Sequence, residues 1–397
     1  MKRSYKAVIV GGGSGGISVA ARLLRKSKSL AGEIAIIDPA DKHYYQPLWT
    51  LVGGGAAKKE ASEREMKDVI PEGAEWVKEA VTAFSPEDNS LITDKGHTIS
   101  YEYLVVASGI EMNWNGIKGL KEALGTNNVC SNYSYKHVDY TWETIRSFKG
   151  GTALFTHPAS PVKCGGAPQK IMYLAEDYFT RSGVRNQTKV IFGSANPAIF
   201  DVEKYRLALE KVVERKQIDT RFRRNLVEIK PEEKVAVFEN LDTKEVEEIH
   251  YDMIHVTPLM QAPSFVKNSS LVDENGWVDV HKHTLQHNKF KNVFGIGDNA
   301  NLPTSKTGAA IRKQAPVAAE NIVSLMRGLP LNAFYDGYSS CPIVTGYNKL
   351  VLAEFDYDKE PCETMPFDQA VERSSMYIMK KDLLPIMYWN GMLKGTM

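Results

Sequence analysis

Two cysteines carry the residue types and surroundings that could do redox chemistry. Cys164 follows Lys163 and precedes two glycines and a predicted helix. A neighbouring cation and a helix N-terminus both favour the thiolate, which is the reactive form of cysteine. The residues around Cys341 predict a polar turn that leads into a strand. If the fold brings the two cysteines together, they can form a disulfide when their Cα atoms lie about 4.4–6.8 Å apart.

The chain begins with an apolar strand that runs into a glycine loop. Gly11, Gly13 and Gly16 form the pattern G-x-G-x-x-G before a predicted helix over 17–25. Gly11 permits a tight turn, Gly13 lets the backbone approach a pyrophosphate, and Gly16 lets the helix pack close to the strand. A second apolar strand ends at Asp38, whose carboxylate is placed to hydrogen-bond an adenosine ribose. We therefore predict a dinucleotide site, with an ordinary glycine-rich turn as the alternative.

Two later segments supply the parts that a flavin would need. The apolar strand over 101–109 ends in small residues, and Asp298 ends a strand over 292–298, where it can accept hydrogen bonds from a ribityl chain. The small residues of 304–310 open a predicted helix, whose N-terminus suits the polar edge of a flavin ring. Together these parts resemble the flavoproteins with two dinucleotide-binding domains, the group that includes glutathione reductase and type II NADH dehydrogenase. The resemblance implies bound FAD.

The second nucleotide site of such flavoproteins lacks its glycines in this chain. A strand over 152–156 leads into a loop with two prolines and Cys164, and then into a predicted helix over 170–180. The next strand, over 189–193, also ends without the pattern G-x-G-x-x-G. We predict a second domain that keeps the strand–helix plan but lacks the nicotinamide site, so that the electron donor is not NADH.

The bulk composition excludes several other classes of protein. The 397 residues predict two or three domains. The 49 Lys and Arg residues against 48 Asp and Glu leave no basic field to hold nucleic acid. The four cysteines are too few and too scattered for a disulfide scaffold or a zinc ribbon, and no metal site is predicted. No stretch reaches the roughly 18 apolar residues that suggest a membrane span.

Three segments make the resemblance specific: 161–170, 335–342 and 43–47. They resemble the sulfide:quinone oxidoreductases, most closely the eukaryotic-type branch with its mitochondrial members, and the likeness covers essentially the whole chain. The resemblance implies that Cys164 and Cys341 are the catalytic redox pair.

The other two cysteines have no assigned function. Cys130 falls near the position where many bacterial members keep a third cysteine, which eukaryotic members lack, and a surface or core thiol is the alternative. Cys362 matches no motif of the family.

The resemblance implies an α/β fold with two Rossmann-like domains of the glutathione-reductase type and a C-terminal membrane-associating segment. The expected boundaries are 1–115 and 266–328 for the FAD-binding domain, 116–265 for the second Rossmann-like domain with Cys164, and 329–397 for a C-terminal region with Cys341, the quinone site and the membrane anchor.

The same resemblance implies which residues bind the cofactor and the quinone. Lys306 is also a candidate for stabilising the anionic reduced flavin, with an exposed loop lysine as the alternative. The quinone pocket is expected to use Tyr347 and Phe355. The expected FAD-binding residues are Gly11, Gly13, Ser14, Gly15, Gly16, Asp38, Gln46, Val81, Gly109, Asp298, Lys306, Thr307, Gly308, Ala309 and Ala310.

The implied reaction begins with hydrogen sulfide. Hydrosulfide attacks the Cys164–Cys341 disulfide, Cys341 keeps the sulfur as a persulfide, and two electrons pass from Cys164 through FAD to ubiquinone or menaquinone. A small thiol or sulfite accepts the sulfur. Two alternatives stay open, a type II NADH:quinone dehydrogenase-like enzyme and a non-enzymatic FAD-binding interaction protein.

A quinone is dissolved in lipid, so the resemblance also implies a peripheral membrane protein. Residues 376–394 are rich in Met, Tyr and Trp, which suits an interfacial amphipathic anchor divided by Pro385. The alternative is a C-terminal helix packed on the core or on a second subunit, as in a homodimer. The expected surface is a bacterial cytoplasmic membrane, or the mitochondrial inner membrane if a transit peptide was removed.

Overall fold

The computed structural model describes residues 3–397. The strands of this part of the chain are β1 Ser4–Val10, β2 Ile34–Ile37, β3 Lys42–Tyr44, β4 Glu63–Glu65, β5 Ala74–Val77, β6 Val81–Ser85, β7 Ser90–Thr93, β8 Thr98–Val106, β9 Glu111–Asn113, β10 Val129–Cys130, β11 Gly151–His157, β12 Thr188–Ser194, β13 Asp219–Phe222, β14 Arg224–Lys230, β15 Val235–Asn240, β16 Val246–His250, β17 Met253–His255, β18 Leu259–Gln261, β19 Val293–Gly295, β20 Ser339–Gly346 and β21 Lys349–Phe355. The helices are α1 Ser14–Lys26, α2 Trp49–Gly53, α3 Met66–Val69, α4 Leu120–Ala123, α5 Val138–Ser147, α6 Ala167–Arg181, α7 Glu203–Arg215, α8 Ser264–Lys267, α9 Gly308–Met326, α10 Ser374–Ile378 and α11 Leu384–Asn390.

The first sheet has the order β5-β2-β1-β8-β7-β6, and β19 pairs with the end of β8. The strands β5, β2, β1, β8 and β19 run parallel to one another, whereas β7 is antiparallel to both β8 and β6. Strand β2 is buried along its whole length, which explains its continuous apolar sequence. Because the carboxyl ends of parallel strands share one edge, the loops that follow β1, β2, β8 and β19 meet there.

A second sheet, with the order β10-β17-β11-β12-β13, is parallel throughout. Helix α6 connects β11 to β12, as the predicted strand–helix plan requires. A three-stranded antiparallel sheet, β14-β15-β16, follows it in the chain.

The hairpin β20–β21 packs against α6 and carries Cys341. The predicted polar turn at Cys341 is wrong, because this residue lies inside β20 and pairs with Ala353 of β21. The polar residues that suggested a turn are satisfied by the fold instead, since Ser339 Oγ lies 2.9 Å from Thr307 Oγ1.

The C-terminal segment is helical from α10 through a π-helical stretch, Met379–Leu383, into α11. Pro385 does not divide it, because it lies in the first turn of α11, where a missing N–H is tolerated. One face of the segment buries Tyr377, Tyr388 and Leu393 in the core around the first sheet. Within residues 3–397, no helix has the length and apolar character needed to cross a bilayer.

Candidate active site

The fold brings Cys164 and Cys341 together. Their Sγ atoms lie 3.3 Å apart, although the residues are separated by 177 positions in the sequence. Cys341 is buried in β20, and Cys164 lies in the loop between β11 and α6. Cys164 has φ +55°, a left-handed conformation that costs a non-glycine residue about 1–3 kcal/mol. A small approach of the two sulfur atoms would close a disulfide, whose bond is about 2.05 Å long.

A buried lysine sets the charge of this pair. Lys170 Nζ donates to Cys164 Sγ at 3.2 Å, and the lysine is 3% exposed. The hydrogen bond from the Cys341 thiol holds the pKa of Cys164 well below its usual range, and the Lys170 charge adds to this against the opposing effect of burial. The same contact, together with burial, raises the pKa of Cys341 well above its usual range. Cys164 is therefore the thiolate and Cys341 the thiol.

Lys163, the cation predicted from its position next to Cys164, binds a different residue. Its Nζ donates to Gln46 Oε1 at 2.7 Å. Lys163 and Lys306 form a β-bridge, and Cys164 N donates to Lys306 O at 2.8 Å. The Lys163 side chain is thus directed at Gln46, whereas the Cys164 thiol lies beside Lys170 and Cys341. The prediction that Lys163 activates Cys164 is wrong, and Lys170 has that position.

Sequence reasoning missed two further residues of this region. Lys380, of the π-helical stretch, is 4% exposed and its Nζ donates to Pro47 O at 3.2 Å. Burial, followed by the charge of Lys170, lowers the pKa of Lys380 to about 7. The Tyr133 hydroxyl is buried, and burial, followed by the charge of Cys164, raises its pKa. The sequence carries no signal that separates Lys380 from the adjacent Lys381.

The glycine loop has the geometry that its spacing predicts. Gly11 has φ +105°, and a Cβ on Gly16 would lie 1.9 Å from Gly11 O, so both positions require glycine. A Cβ on Gly13 would meet no atom of residues 3–397 within 4 Å, which leaves space for a ligand. Asp38 Oδ2 accepts a hydrogen bond from Gly12 N at 2.7 Å. Burial raises the pKa of Asp38, and the backbone amides of Ala40 and Gly12 oppose the rise.

A small cavity lies at the end of β19 and the start of α9. Thr307 caps α9 by accepting from Ala310 N at 3.0 Å. Lys306 Nζ donates to Asp298 O at 2.7 Å and to Ala300 O at 3.0 Å, so it is not an exposed loop lysine. Burial lowers the pKa of Lys306 to about 8. The cavity is lined by Gly297, Asp298, Ala300, Leu302, Thr304, Ser305, Lys306, Thr307, Ala310, Ile311 and Gln314.

The residues of this edge fit FAD. Two buried polar atoms, Asp298 Oδ1 and Ser108 Oγ, have no partner among the residues that the structure describes. Buried polar groups are normally hydrogen-bonded, so a bound ligand with hydrogen-bond donors and acceptors would satisfy both atoms. A Cβ on Gly308 would also enter space that is empty of described residues, as at Gly13. An orphaned acceptor at Asp298 is the group that a ribityl hydroxyl needs.

Three other residues expected to bind FAD lie outside both the glycine loop and the cavity. Val81 begins β6, separated from the end of β5 at Val77 by residues 78–80. Gly109 has φ +73°, and its N donates to Asn299 Oδ1 at 3.2 Å. Gln46 is held by Lys163, which links the expected nucleotide residue to the cysteine loop.

The two residues expected at the quinone are not brought together. Tyr347 lies in the turn between β20 and β21, where its hydroxyl donates to Gly54 O at 2.5 Å. Phe355 ends β21 at the opposite end of the hairpin and packs 5.9 Å from Phe200, between ring centroids. The geometry therefore does not support one pocket lined by both residues.

The remaining cysteines have the environment of ordinary core thiols. Cys130 is fully buried in β10, and burial raises its pKa to about 12. Burial also raises the pKa of Cys362 to about 11. Both groups stay protonated at neutral pH, so neither has the thiolate that redox chemistry needs.

Comparison with known proteins agrees with this geometry. A model of the pyridine nucleotide-disulphide oxidoreductase family matches residues 5–141. The mitochondrial sulfide:quinone oxidoreductase of Dictyostelium discoideum is 51% identical over 397 residues, which cover 100% of this chain and 87% of that protein. The protein of the same name from Mus musculus is 48% identical over 395 residues, which cover 99% of this chain and 87% of that protein.

A solved structure extends the likeness to the fold. The sulfide:quinone oxidoreductase of Aquifex aeolicus matches with a TM-score of 0.85 and 20% identity, over 100% of this chain and 92% of that one. The predicted α/β fold class is thus confirmed. With about half of its residues identical to two such relatives along nearly its whole length, the chain belongs to the sulfide:quinone oxidoreductase family.

Proposed function

We propose that this protein oxidises hydrogen sulfide to sulfane sulfur and passes two electrons, through the cysteine pair and FAD, to a membrane quinone. The observation that carries the proposal is the pair itself: a lysine-stabilised thiolate 3.3 Å from a buried thiol. The backbone of Cys164 is hydrogen-bonded to Lys306, whose side chain lines the cavity suited to a flavin. The cysteine pair and the flavin would therefore lie next to each other.

The difference in pKa between the two cysteines assigns their roles. In a disulfide that hydrosulfide attacks, the thiol with the lower pKa leaves faster. Hydrosulfide then bonds to Cys341, the bond between the two cysteine sulfurs breaks, and Cys164 leaves as the thiolate that Lys170 stabilises. A small thiol or sulfite attacks the outer sulfur of the Cys341 persulfide and carries it away, which leaves a thiolate on Cys341. Two electrons must leave the two thiolates for the disulfide to form again.

FAD, held by the glycine loop, Asp38, Asp298 and the start of α9, would accept those two electrons and release them to quinone. Lys306 would place a cation beside the cofactor, and its pKa near 8 leaves it mostly charged at neutral pH. The sulfur acceptor, the kind of quinone and a homodimer stay predictions.

An anaerobic titration tests the function. Sulfide should bleach the visible flavin absorbance of the purified protein, NADH should not, and a short-chain ubiquinone should restore it. Cys164→Ser and Cys341→Ser should each slow bleaching by roughly a thousandfold or more while FAD stays bound. Bleaching by NADH without sulfide would favour the dehydrogenase alternative. A flavin that stays oxidised in excess sulfide would favour a non-enzymatic protein.

The outer face of the C-terminal segment supports contact with a membrane. Ile378, Leu383 and Ile386 are 56%, 48% and 57% exposed, while the opposite face of the segment is buried. Large apolar side chains grouped on one helical face suit the boundary between headgroups and acyl chains. The segment would then be both a helix packed on the core and a membrane anchor, with one face on the core and the other on lipid.

Flotation with phosphatidylcholine vesicles that contain ubiquinone tests this surface. Ile386→Asp should reduce the bound fraction severalfold, because a charge at the interface opposes burial. Leu207→Asp is the matched control, since Leu207 is 47% exposed on α7. Equal flotation of both variants would contradict a membrane-binding role for the C-terminal face.

A further inference from the structure

A tyrosine of the C-terminal segment reaches the glycine loop. Tyr388 is 5% exposed, and its hydroxyl lies 2.7 Å from Ser14 Oγ and 2.5 Å from His43 Nε2. His43 Nδ1 lies 2.8 Å from Gly12 O. Two loop residues, Gly12 and Ser14, are thereby connected to α11 through one histidine and one tyrosine.

The direction of each hydrogen bond in this chain follows from its ends. Burial lowers the pKa of His43 to about 4, so its ring is neutral and has a single N–H. The Gly12 carbonyl can only accept, so Nδ1 donates to it and Nε2 accepts from the Tyr388 hydroxyl. The Tyr388 oxygen must then accept the proton of Ser14. The Ser14 hydroxyl is therefore committed to Tyr388.

Packing around the tyrosine keeps this arrangement dry and fixed. The Tyr45 ring lies 4.5 Å from the Tyr388 ring, and the Trp389 ring lies 5.6 Å from that of His43. Arg64 stacks over Trp389 at 4.8 Å. After α11 the chain continues along α1, where it approaches so closely that a Cβ on Gly395 would lie 3.0 Å from Ala21 C. Residues 384–395 therefore lie across the first two turns of the helix whose N-terminus follows the glycine loop.

We propose that Tyr388 is a positioning residue of the FAD site, and that residues 384–395 are a clasp that holds the glycine loop in the conformation that retains FAD. Ser14 contributes to the pyrophosphate through its backbone N–H, while its side chain serves the clasp. The inference rests on the proposed binding of FAD at this loop, and it is independent of the cysteine chemistry.

FAD release from the holoenzyme measures the clasp directly. After dilution, the fluorescence of free flavin reports release from the wild type and from Tyr388→Phe. The variant should release FAD about five- to tenfold faster, because it loses both hydrogen bonds of the hydroxyl, and the one that holds Ser14 is worth about 1 kcal/mol. Tyr377→Phe is the matched control, since Tyr377 is also a buried tyrosine of this segment, on α10. Equal release rates for the wild type and Tyr388→Phe would overturn the proposal.

A double-mutant cycle separates the clasp from a direct contact of Ser14 with phosphate. If the Ser14 hydroxyl acts only through Tyr388, the double variant Ser14→Ala, Tyr388→Phe should release FAD no faster than Tyr388→Phe alone. Multiplied effects would show that the hydroxyl binds the pyrophosphate itself, which contradicts the commitment to Tyr388. The ³¹P resonances of bound FAD should shift in Tyr388→Phe and stay unchanged in Tyr377→Phe.

If Tyr388→Phe fails to fold, amide hydrogen exchange provides a second test of the clasp. In holoenzyme carrying Ser14→Ala, peptides covering 384–394 should exchange severalfold faster than in the wild type, because coupling between two sites is reciprocal. Unchanged exchange there would contradict the clasp. A protein that binds no flavin at all would instead contradict the proposed function, so the two failures are distinguishable.

Discussion

The chain uses one local design twice, in the turn from β1 to α1 and in the turn from β11 to α6. Both turns follow a central strand of a parallel sheet and open a helix. The first carries Gly11, Gly13 and Gly16, whereas the second carries Pro161 and Cys164. In both cases the strand–turn–helix unit places a loop at the edge of the sheet. The residues of that loop then decide whether it binds a pyrophosphate or carries a reactive sulfur atom.

The two turns also differ in what their backbone costs. Gly11 adopts φ +105° as a glycine, which has no Cβ to resist it, whereas Cys164 adopts φ +55° with a side chain. Two backbone hydrogen bonds compensate for this, from Cys164 N to Lys306 O at 2.8 Å and from Ala167 N to Cys164 O at 2.7 Å. The second turn therefore holds its reactive residue in a strained conformation through hydrogen bonds to Lys306 and to the start of α6.

Adding one methyl group to the first turn should have the largest effect. In Gly16→Ala the new Cβ would lie 1.9 Å from Gly11 O, so we expect loss of bound FAD and about 3 kcal/mol or more of stability. Flavin absorbance per protein and thermal melting measure the two effects.

Gly13→Ala is the matched control for that experiment. Its Cβ would meet no described atom within 4 Å, so the apoprotein should melt as the wild type does while FAD binding is lost. Normal flavin content in Gly13→Ala would mean that the pyrophosphate lies elsewhere.

The first turn could be predicted from sequence because its requirements are local. A positive φ, a close helix contact and an open approach each demand glycine within six residues, and the strands around them are continuous apolar runs. Asp38 followed from the same rule, as the residue after the neighbouring parallel strand.

The second turn could not be predicted in the same way. Adjacency favoured Lys163 as the cation, but its side chain binds Gln46, and α6 supplies Lys170 instead. The pairing with Cys341 came from the family resemblance, since a separation of 177 residues carries no local signal. Lys380 and Tyr388 come from the C-terminal segment, whose amphipathic pattern indicates an apolar face but not what that face contacts.

Removing Lys170, the α6 lysine that contacts Cys164, should have a moderate effect on the reactivity of that cysteine. In Lys170→Met the Cys164 thiolate loses a charged hydrogen bond, so its pKa should rise. The wild-type thiolate should persist to a lower pH than that of the variant. The rate of iodoacetamide alkylation across pH, with the Cys164 peptide identified by mass spectrometry, measures the shift. Lys163→Met should titrate as the wild type does, and a comparable shift in it would restore Lys163 as the activating residue.

A methyl group added to the second turn should have the smallest effect. A Cβ on Gly165 would first meet Ser305 Oγ at 3.8 Å, which is ordinary van der Waals contact. Gly165→Ala should therefore change the free energy of unfolding by about 0.5 kcal/mol or less and leave the flavin content intact. The contrast with Gly13→Ala matters more than either value, because both positions have open space and only the one in the first turn is expected to face the cofactor's phosphates. If Gly165→Ala also lost its flavin, both loops would approach the cofactor closely, and the division between a phosphate-binding turn and a sulfur-bearing turn would be wrong.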